Sequence, residues 1–517
     1  MPLMPSTPPL PTSAEIDAIT NLLLERETPM TTAELAHWLI ETRLESERQA
    51  LQTRYQNIKV YDPAEAYNIG DRLTFSKMDY ALATVSALRP GNNPDYGDFE
   101  VISVEFDEPL YNGARGVRDF AARLAQPHAL NGAPAQAPQL SQFSAEDVLK
   151  AHPHFIKELE ATLSASKDLR RVAGYWFPQE LVIPVDIGML HLAEAVLDVS
   201  GDKPMTTQEI IEQIGGLGNA PMSLQVFSMN VAMSQDKRFD EVGPLGQVLW
   251  YLHRQQPEAV RRPPVWLQHR AIDFDPSLLS PAMRELEMEL NDELSKLPPI
   301  EEDLEEASLY LIYPHRRAGT LPINRATRQI VPTARTPRIF VEIVDDVNHT
   351  RFPGWVVHEH QYVYGLLDYY TQNRLSIGTR LYLRRGEHPG QLRLRYDAYK
   401  PRREFIPVVQ ATRDQLTLTQ TQRPIGAEYD MQLIVGIDNL EATDELTRVF
   451  QNKNLATILK AIIAEAGKFS PQGTVHAKTI YSLANVFRRV PPGLVFATLA
   501  ANPDFHAIGD VLWKLNE

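Results

Sequence analysis

Apolar positions along the chain alternate between two spacings. From residue 13 to 66 they recur at helical intervals: Ile16, Ile19, Leu22 and Leu23 share one face. A second helix is expected from Thr32, and a third, polar and basic, around Leu44 to Tyr55. From 67 to 130 the period shortens to two. IGDRLTF, ALATVSAL and FEVISVEF read as strands of a small, SH3-like β domain, and PGNNPDYG is turn chemistry. Helical spacing returns in 143–200, where SAEDVL offers a capping box at Ser144, and in 201–263. Residues 264–306 read as a linker and an acidic helix, 307–440 as many short alternating strands, and 441–517 as helices closed by a strand. The Pro-rich residues 1–12 read as a disordered arm and 131–142 as a linker. The fold class expected is a multidomain α+β chain.

One phrase occurs twice. PMTTAEL begins at Pro29 and PMTTQEI at Pro204. Thr31 with Glu34, and Thr206 with Glu209, have capping-box spacing, and Met30/Leu35 and Met205/Ile210 have the spacing of a hydrophobic staple. Both phrases therefore open a helix. The downstream ends also repeat. FDEVGPLGQVLWYL, ending at Leu252, matches FHAIGDVLWKL, ending at Leu515. The first copy is expected to end with Gly70 to Phe75 matching Gly509 to Lys514, and VHAKTIYSL (475–483) stands in for the PMTT helix in the third. Three short helices followed by a hairpin spell a winged helix.

Residues PMTTQEI and DKRFDEVGPLGQVLWYL resemble the HARE-HTH winged-helix family and the related N-terminal domain of the bacterial RNA polymerase delta subunit. The resemblance covers about 50 residues of the second copy well, the start of the first, and the end of the third. Pro244-Leu245 departs from the family's tighter turn, which implies a longer wing. The expected architecture is winged-helix modules at 13–66, 201–263 and 441–517, alternating with small antiparallel barrel-like β domains. The family implies a protein of transcription, with DNA or polymerase contact and without catalysis.

Charge changes this picture. The chain has 517 residues, no cysteine and a formal net charge of −15, so an all-over basic coat is excluded, as are disulfides and thiolate chemistry. No secretory leader or membrane span is read, and a cytoplasmic location is expected. Arg316 to Glu404 nevertheless holds 16 Lys/Arg against 8 Asp/Glu. In RLYLRRGEHPGQLRLRY, Arg380, Tyr382 and Arg384 fall on one face, and Arg393 and Arg395 share a face across the turn. Arg385, Arg402 and Arg403 complete a candidate phosphate-binding surface. Alternatively, these arginines pair internally with the acidic segment at 285–306, which otherwise reads as a solvated linker or a nucleic-acid mimic.

The third helices supply further DNA candidates. These are Arg48, Gln52 and Arg54 in the first module; Gln225, Asn230, Lys237 and Arg238 in the second; and Arg488 and Arg489 in the third. Packing or protein contact is the alternative for all of them.

Enzyme chemistry is sparse. No phosphate-binding glycine loop or HExxH is present. His358 and His360 have the spacing of one strand face but lack a third metal ligand nearby. Asp95, Glu100 and Glu105 form a carboxylate set without the lysine a nuclease site needs, and PDYGD reads as a turn. Expected, then, is a non-enzymatic DNA-binding regulator without cofactor or metal. The alternatives are an acidic adaptor of RNA polymerase, or an accessory subunit or nuclease of a nucleic-acid-processing system.

Overall fold

The computed structural model describes residues 8–78, 80–107, 117–128, 144–201, 203–412, 415–509 and 511–516. The expected linker at 131–142 lies outside them. The chain divides into two compact bodies, Met1–Val182 and Ile183–Glu517.

The N-terminal body opens with α1 (Ser13–Arg26), β1 (Met30–Thr31) and α2 (Thr32–Arg54). The capping box forms: Thr31 N–H donates to Glu34 at 2.7 Å, and Glu34 N–H donates to Thr31 Oγ1 at 3.2 Å. Met30 and Leu35 are buried in one core. No Gly or Pro interrupts Thr32 to Arg54, and strong helix formers fill its second half. The expected third helix at 44–55 is therefore the exposed continuation of α2.

A five-stranded sheet follows: β2 (Lys59–Val60), β3 (Arg72–Phe75), β4 (Ala81–Pro90), β5 (Glu100–Phe106) and β6 (Val117–Ala122), paired in that order. Its two ends meet. Leu124 N–H donates to Pro63 O at 2.9 Å, and the Tyr61 hydroxyl donates to Ala121 O at 2.7 Å. Phe75 packs at the centre of this curl, 4.7 Å from Tyr61 and 4.6 Å from Phe120 between ring centroids. Pro94–Tyr96 is a 3₁₀ turn between β4 and β5, and Glu100 pairs with Arg123, so PDYGD does act as a turn.

The chain then returns to its opening helices with α3 (Ala145–Ala151), α4 (His154–Ser164), β7 (Leu169–Val172) and β8 (Tyr175–Pro178). β8 pairs with both β1 and β7, with Met30 opposite Trp176. Ala173 and Gly174, both at positive φ, form the two-residue turn that suits a twisted hairpin. The first copy is thus not contained in 13–66. The small β domain is inserted between its second and third helices, and its hairpin is 169–178. Gly70 to Phe75 belongs to the insert instead.

The C-terminal body starts with α5 (Ile187–Ser200), β9 (Met205–Thr206), α6 (Thr207–Ile214), α7 (Met222–Gln235), β10 (Phe239–Glu241) and β11 (Leu249–Leu252). The sheet order β10-β11-β9 reproduces β7-β8-β1. Short helix α8 (Glu258–Arg261) and α9 (Pro281–Leu290) lead to β12 (Glu306–Tyr310), α10 (Tyr313–Ala318), β13 (Thr320–Pro322) and α11 (Thr327–Ile330). Next come β14 (Arg338–Asp345), β15 (Arg351–Val357), β16 (Tyr362–Tyr364), α12 (Leu367–Gln372), β17 (Arg380–Arg385) and β18 (Gln391–Tyr396). Seven strands form one sheet in the order β12-β17-β18-β14-β15-β16-β13, antiparallel except for β14 with β18. A long hairpin, β19 (Ala398–Ala411) and β20 (Leu416–Ala427), adds β21 (Gly436–Ile437).

The chain ends with α13 (Leu440–Phe450), α14 (Leu455–Ala466), β22 (Val475–His476), α15 (Ala477–Phe487), α16 (Pro492–Ala501), β23 (Phe505–Ile508) and β24 (Leu512–Leu515). The order β22-β24-β23 gives the plan a third time. In all three copies a tryptophan on the last strand faces the strand that opens the second helix: Trp176 opposite Met30, Trp250 opposite Met205 and Trp513 opposite Val475.

Among the described residues, no helix is long and apolar enough to cross a membrane.

Candidate functional site

The tryptophans show how the copies diverge. Trp176 Nε1 donates to Thr32 Oγ1 at 2.9 Å. Trp250 Nε1 donates to Thr207 Oγ1 at 3.0 Å and to Asn230 Oδ1 at 2.9 Å. Position 477 is alanine, and buried Trp513 Nε1 has no partner. Asn230, expected on a DNA-reading face, is thus a core residue fixing its own module. Gln225 is also buried, its Oε1 accepting from Leu217 N–H at 2.7 Å and its amide donating to Ala220 O at 2.7 Å. Arg238 is held between Asp236 and Glu194, each at 2.6 Å, and these pairs keep its pKa raised. Of the second module's candidates, Lys237 alone is exposed.

The connection between β10 and β11 is longer than the hairpin turns of the other two copies, and it docks on the large sheet. Leu245 N–H donates to Thr333 O at 2.8 Å, and Phe340 N–H donates to Val242 O at 2.9 Å. Val242, Tyr251, Trp355 and Tyr362 share one core. The third module's α16 is buried along most of its length, with Gly493 against Phe274 and Glu287. By contrast α4, the helix that leads into the hairpin of the first copy, exposes His154, Lys157, Glu158 and Ala161. Arg48, Gln52 and Arg54 are exposed on the outer half of α2; Arg48 lies 3.7 Å from Glu45.

The Arg-rich hairpin is internally neutralised. Arg384 and Arg393 reach Asp346 at 2.6 and 2.7 Å, and their hydrogen bonds hold its carboxyl below the usual range against the opposing effect of burial. Arg395 pairs with Glu306 at 2.8 Å and Asp397 at 2.6 Å. Arg385 lies 3.3 Å from Asp303 and donates to Gln329 O at 2.7 Å. Arg380 is 3.6 Å from Glu428, whose carboxylate also accepts from the Tyr382 hydroxyl at 3.0 Å. Burial, then bonds to Asp397 and Glu428, push Tyr382 up to about 12. Arg395 stacks over its ring at 3.7 Å, so the phenol is sandwiched rather than offered for base stacking. Arg402 and Arg403, farther along β19, are exposed.

The acidic segment divides: Glu301, Glu302, Asp303 and Glu305 are exposed on an irregular linker, whereas its middle is drawn into the fold. Only Pro281–Leu290 is helical. Asp292 and Glu293 are buried and both accept from Arg489 at 2.6 Å. The Tyr481 hydroxyl donates to Asp292 as well, and His315 Nε2 lies 3.1 Å from Glu293. Burial opposes the ionised form of Glu293, but Arg489 and then His315 hold its pKa far below the carboxylate range. Arg489 is therefore the centre of a buried ion-pair network, inaccessible to a groove.

Arg488 points to a different feature. With Arg270 and Arg448 it lines a cleft of about 490 Å³ between α13, the end of α15 and residues 265–270. Its guanidinium donates to Lys453 O at 3.3 Å. Burial and then the positive charge of Arg270 lower its pKa. Sequence reasoning missed Arg270 and Arg448 because each stands alone in the chain, without a motif.

His358 and His360 lie in a 3₁₀ turn rather than on a strand. His358 Nε2 is 2.8 Å from Pro332 O, and the His360 ring stacks on Tyr362. Among the described residues, no group of three His, Asp or Glu is placed to hold a metal. Comparison with protein-family models, curated proteins and solved structures finds no match for this chain.

Proposed function

We propose that the chain is a non-enzymatic, transcription-associated protein built on three winged-helix modules, with duplex DNA contacted by the first. The supporting observation is the threefold recurrence of helix, short strand, helix and a further helix that leads into a hairpin, to which the first copy adds the inserted sheet and α3; of the three helices that precede the hairpins, α4 keeps an open outer face. A winged helix places that helix in the major groove and its wing beside the backbone. Lys157 on α4, with Lys167 and Arg170 at the hairpin, would then meet phosphates. The second and third modules serve as internal joints of the C-terminal body.

The test is fluorescence anisotropy of the full chain on random duplex DNA across a salt series. Binding should weaken with salt at a shallow slope, since few cations contribute. Lys157→Glu/Arg170→Glu should abolish it, whereas Arg384→Glu/Arg393→Glu should leave the first module's contact in place. Absence of binding at low salt would overturn the reading. The neutralised hairpin favours a second one, in which the first module docks on a protein such as RNA polymerase.

A further inference from the structure

We propose that the cleft between α13, the end of α15 and residues 265–270 binds a small phosphate-bearing molecule. Three guanidiniums converge there from separate elements: Arg448 from the last turn of α13, Arg488 from the cap of α15, and Arg270 from the preceding segment. Among the described residues, none of the three has a carboxylate partner. That is unusual in a chain of net charge −15, whose other arginine cluster is closely paired.

The one carboxylate lining the cleft, Asp444, is already engaged. Arg317 reaches it at 3.0 Å, and Trp266 Nε1 donates to it at 3.4 Å. Arg489 lines the same cleft with its side chain only 1% exposed, and its Nε has no hydrogen-bond partner. The floor is rigid: Arg489 is locked by Asp292 and Glu293, and a backbone bridge joins it to His269.

Like charges gathered in a concave, partly desolvated site repel one another unless an anion joins them. Guanidinium forks match tetrahedral oxyanions, and three of them match a multiply charged one. The volume suits a small ligand. Exposed Val265 and half-buried Trp266 supply an apolar wall on which a planar group attached to the phosphates can rest. The site does not depend on duplex contact by the first module.

The experiment is calorimetric titration of the full chain at low salt with tripolyphosphate, ATP and, as a control of like charge, tricarballylate. Tripolyphosphate and ATP should both bind. Arg270→Glu and Arg448→Glu should each weaken binding at least about tenfold. Both residues are exposed, so the fold should survive, which thermal unfolding checks directly. Arg403→Glu, the same charge change outside the cleft, should leave affinity unchanged. Tighter binding of ATP than of tripolyphosphate would assign the apolar wall to the base. No binding, equal binding of tricarballylate, or affinity unchanged in both cleft variants would overturn the proposal.

Discussion

The first and third copies of the repeated plan share a strand order and a tryptophan but bury opposite amounts of the helix that leads into the hairpin. α4 keeps its outer face in solvent, whereas α16 is enclosed by residues 274–290. The opening helix starts differ in the same sense. The first is capped by Thr31 and Glu34, and the third by His476, whose Nδ1 accepts from Lys478 N–H at 3.1 Å. A capping box stabilises a helix from within, so a module that has one needs less from its neighbours. The third copy, lacking it, is held by tertiary burial. Recurrence of a local plan therefore does not imply recurrence of its role.

The largest effect should come from the network that locks the third copy. Arg489→Leu leaves Asp292 and Glu293 buried without their cation and should cost about 3–5 kcal/mol. Calorimetry should show the transition of the C-terminal body moving down while that of the N-terminal body stays in place. A uniform shift of both would break the comparison.

A smaller effect separates the first and second copies. Thr32→Val removes the hydrogen bond of the Trp176 indole and should cost about 1–2 kcal/mol. Thr207→Val should cost less, because Asn230 still accepts from Trp250. Chemical denaturation of the two variants gives the order, and the reverse order would show that the tryptophan bonds are not what distinguishes the copies.

The smallest effect is the share of the acid-side pH dependence that Glu15 contributes to the first copy. Hydrogen bonding from Arg43, 2.6 Å away, lowers Glu15 to about 2 despite partial burial. A depressed carboxylate stabilises the fold above its unfolded pKa and loses that contribution as pH falls through the folded one. Glu15→Gln should therefore flatten the acid side of the N-terminal body's stability curve between about pH 4.5 and about pH 2. The transition of the C-terminal body should follow the wild-type curve.

What was legible in the sequence was local. Both PMTT helix starts and the Ser144 box are spelled within four residues, and the structure forms them. The hairpin of the first copy was not legible, because an entire β domain separates it from its partner strand. Trp176 and Thr32 are 144 residues apart. The Trp in YWFP and the Ala-Gly turn before it were the available signal. The fate of the arginines was hidden for a similar reason. Arg393 meets Asp346 from 47 positions away and Arg395 meets Glu306 from 89. Strand alternation identified which side chains share a face but not which carboxylates lie over that face. The basic cleft was invisible altogether, since Arg270, Arg448 and Arg488 come from three distant segments that only the packing of the C-terminal body brings together.

The central claim is that the first copy alone keeps a free recognition surface. Hydrogen–deuterium exchange of the full chain, with and without saturating duplex DNA, tests it most directly. Protection gained over 154–172, with 222–235 and 492–501 unchanged, is the predicted result. Protection gained over the second or third copy while 154–172 stays unchanged would contradict it.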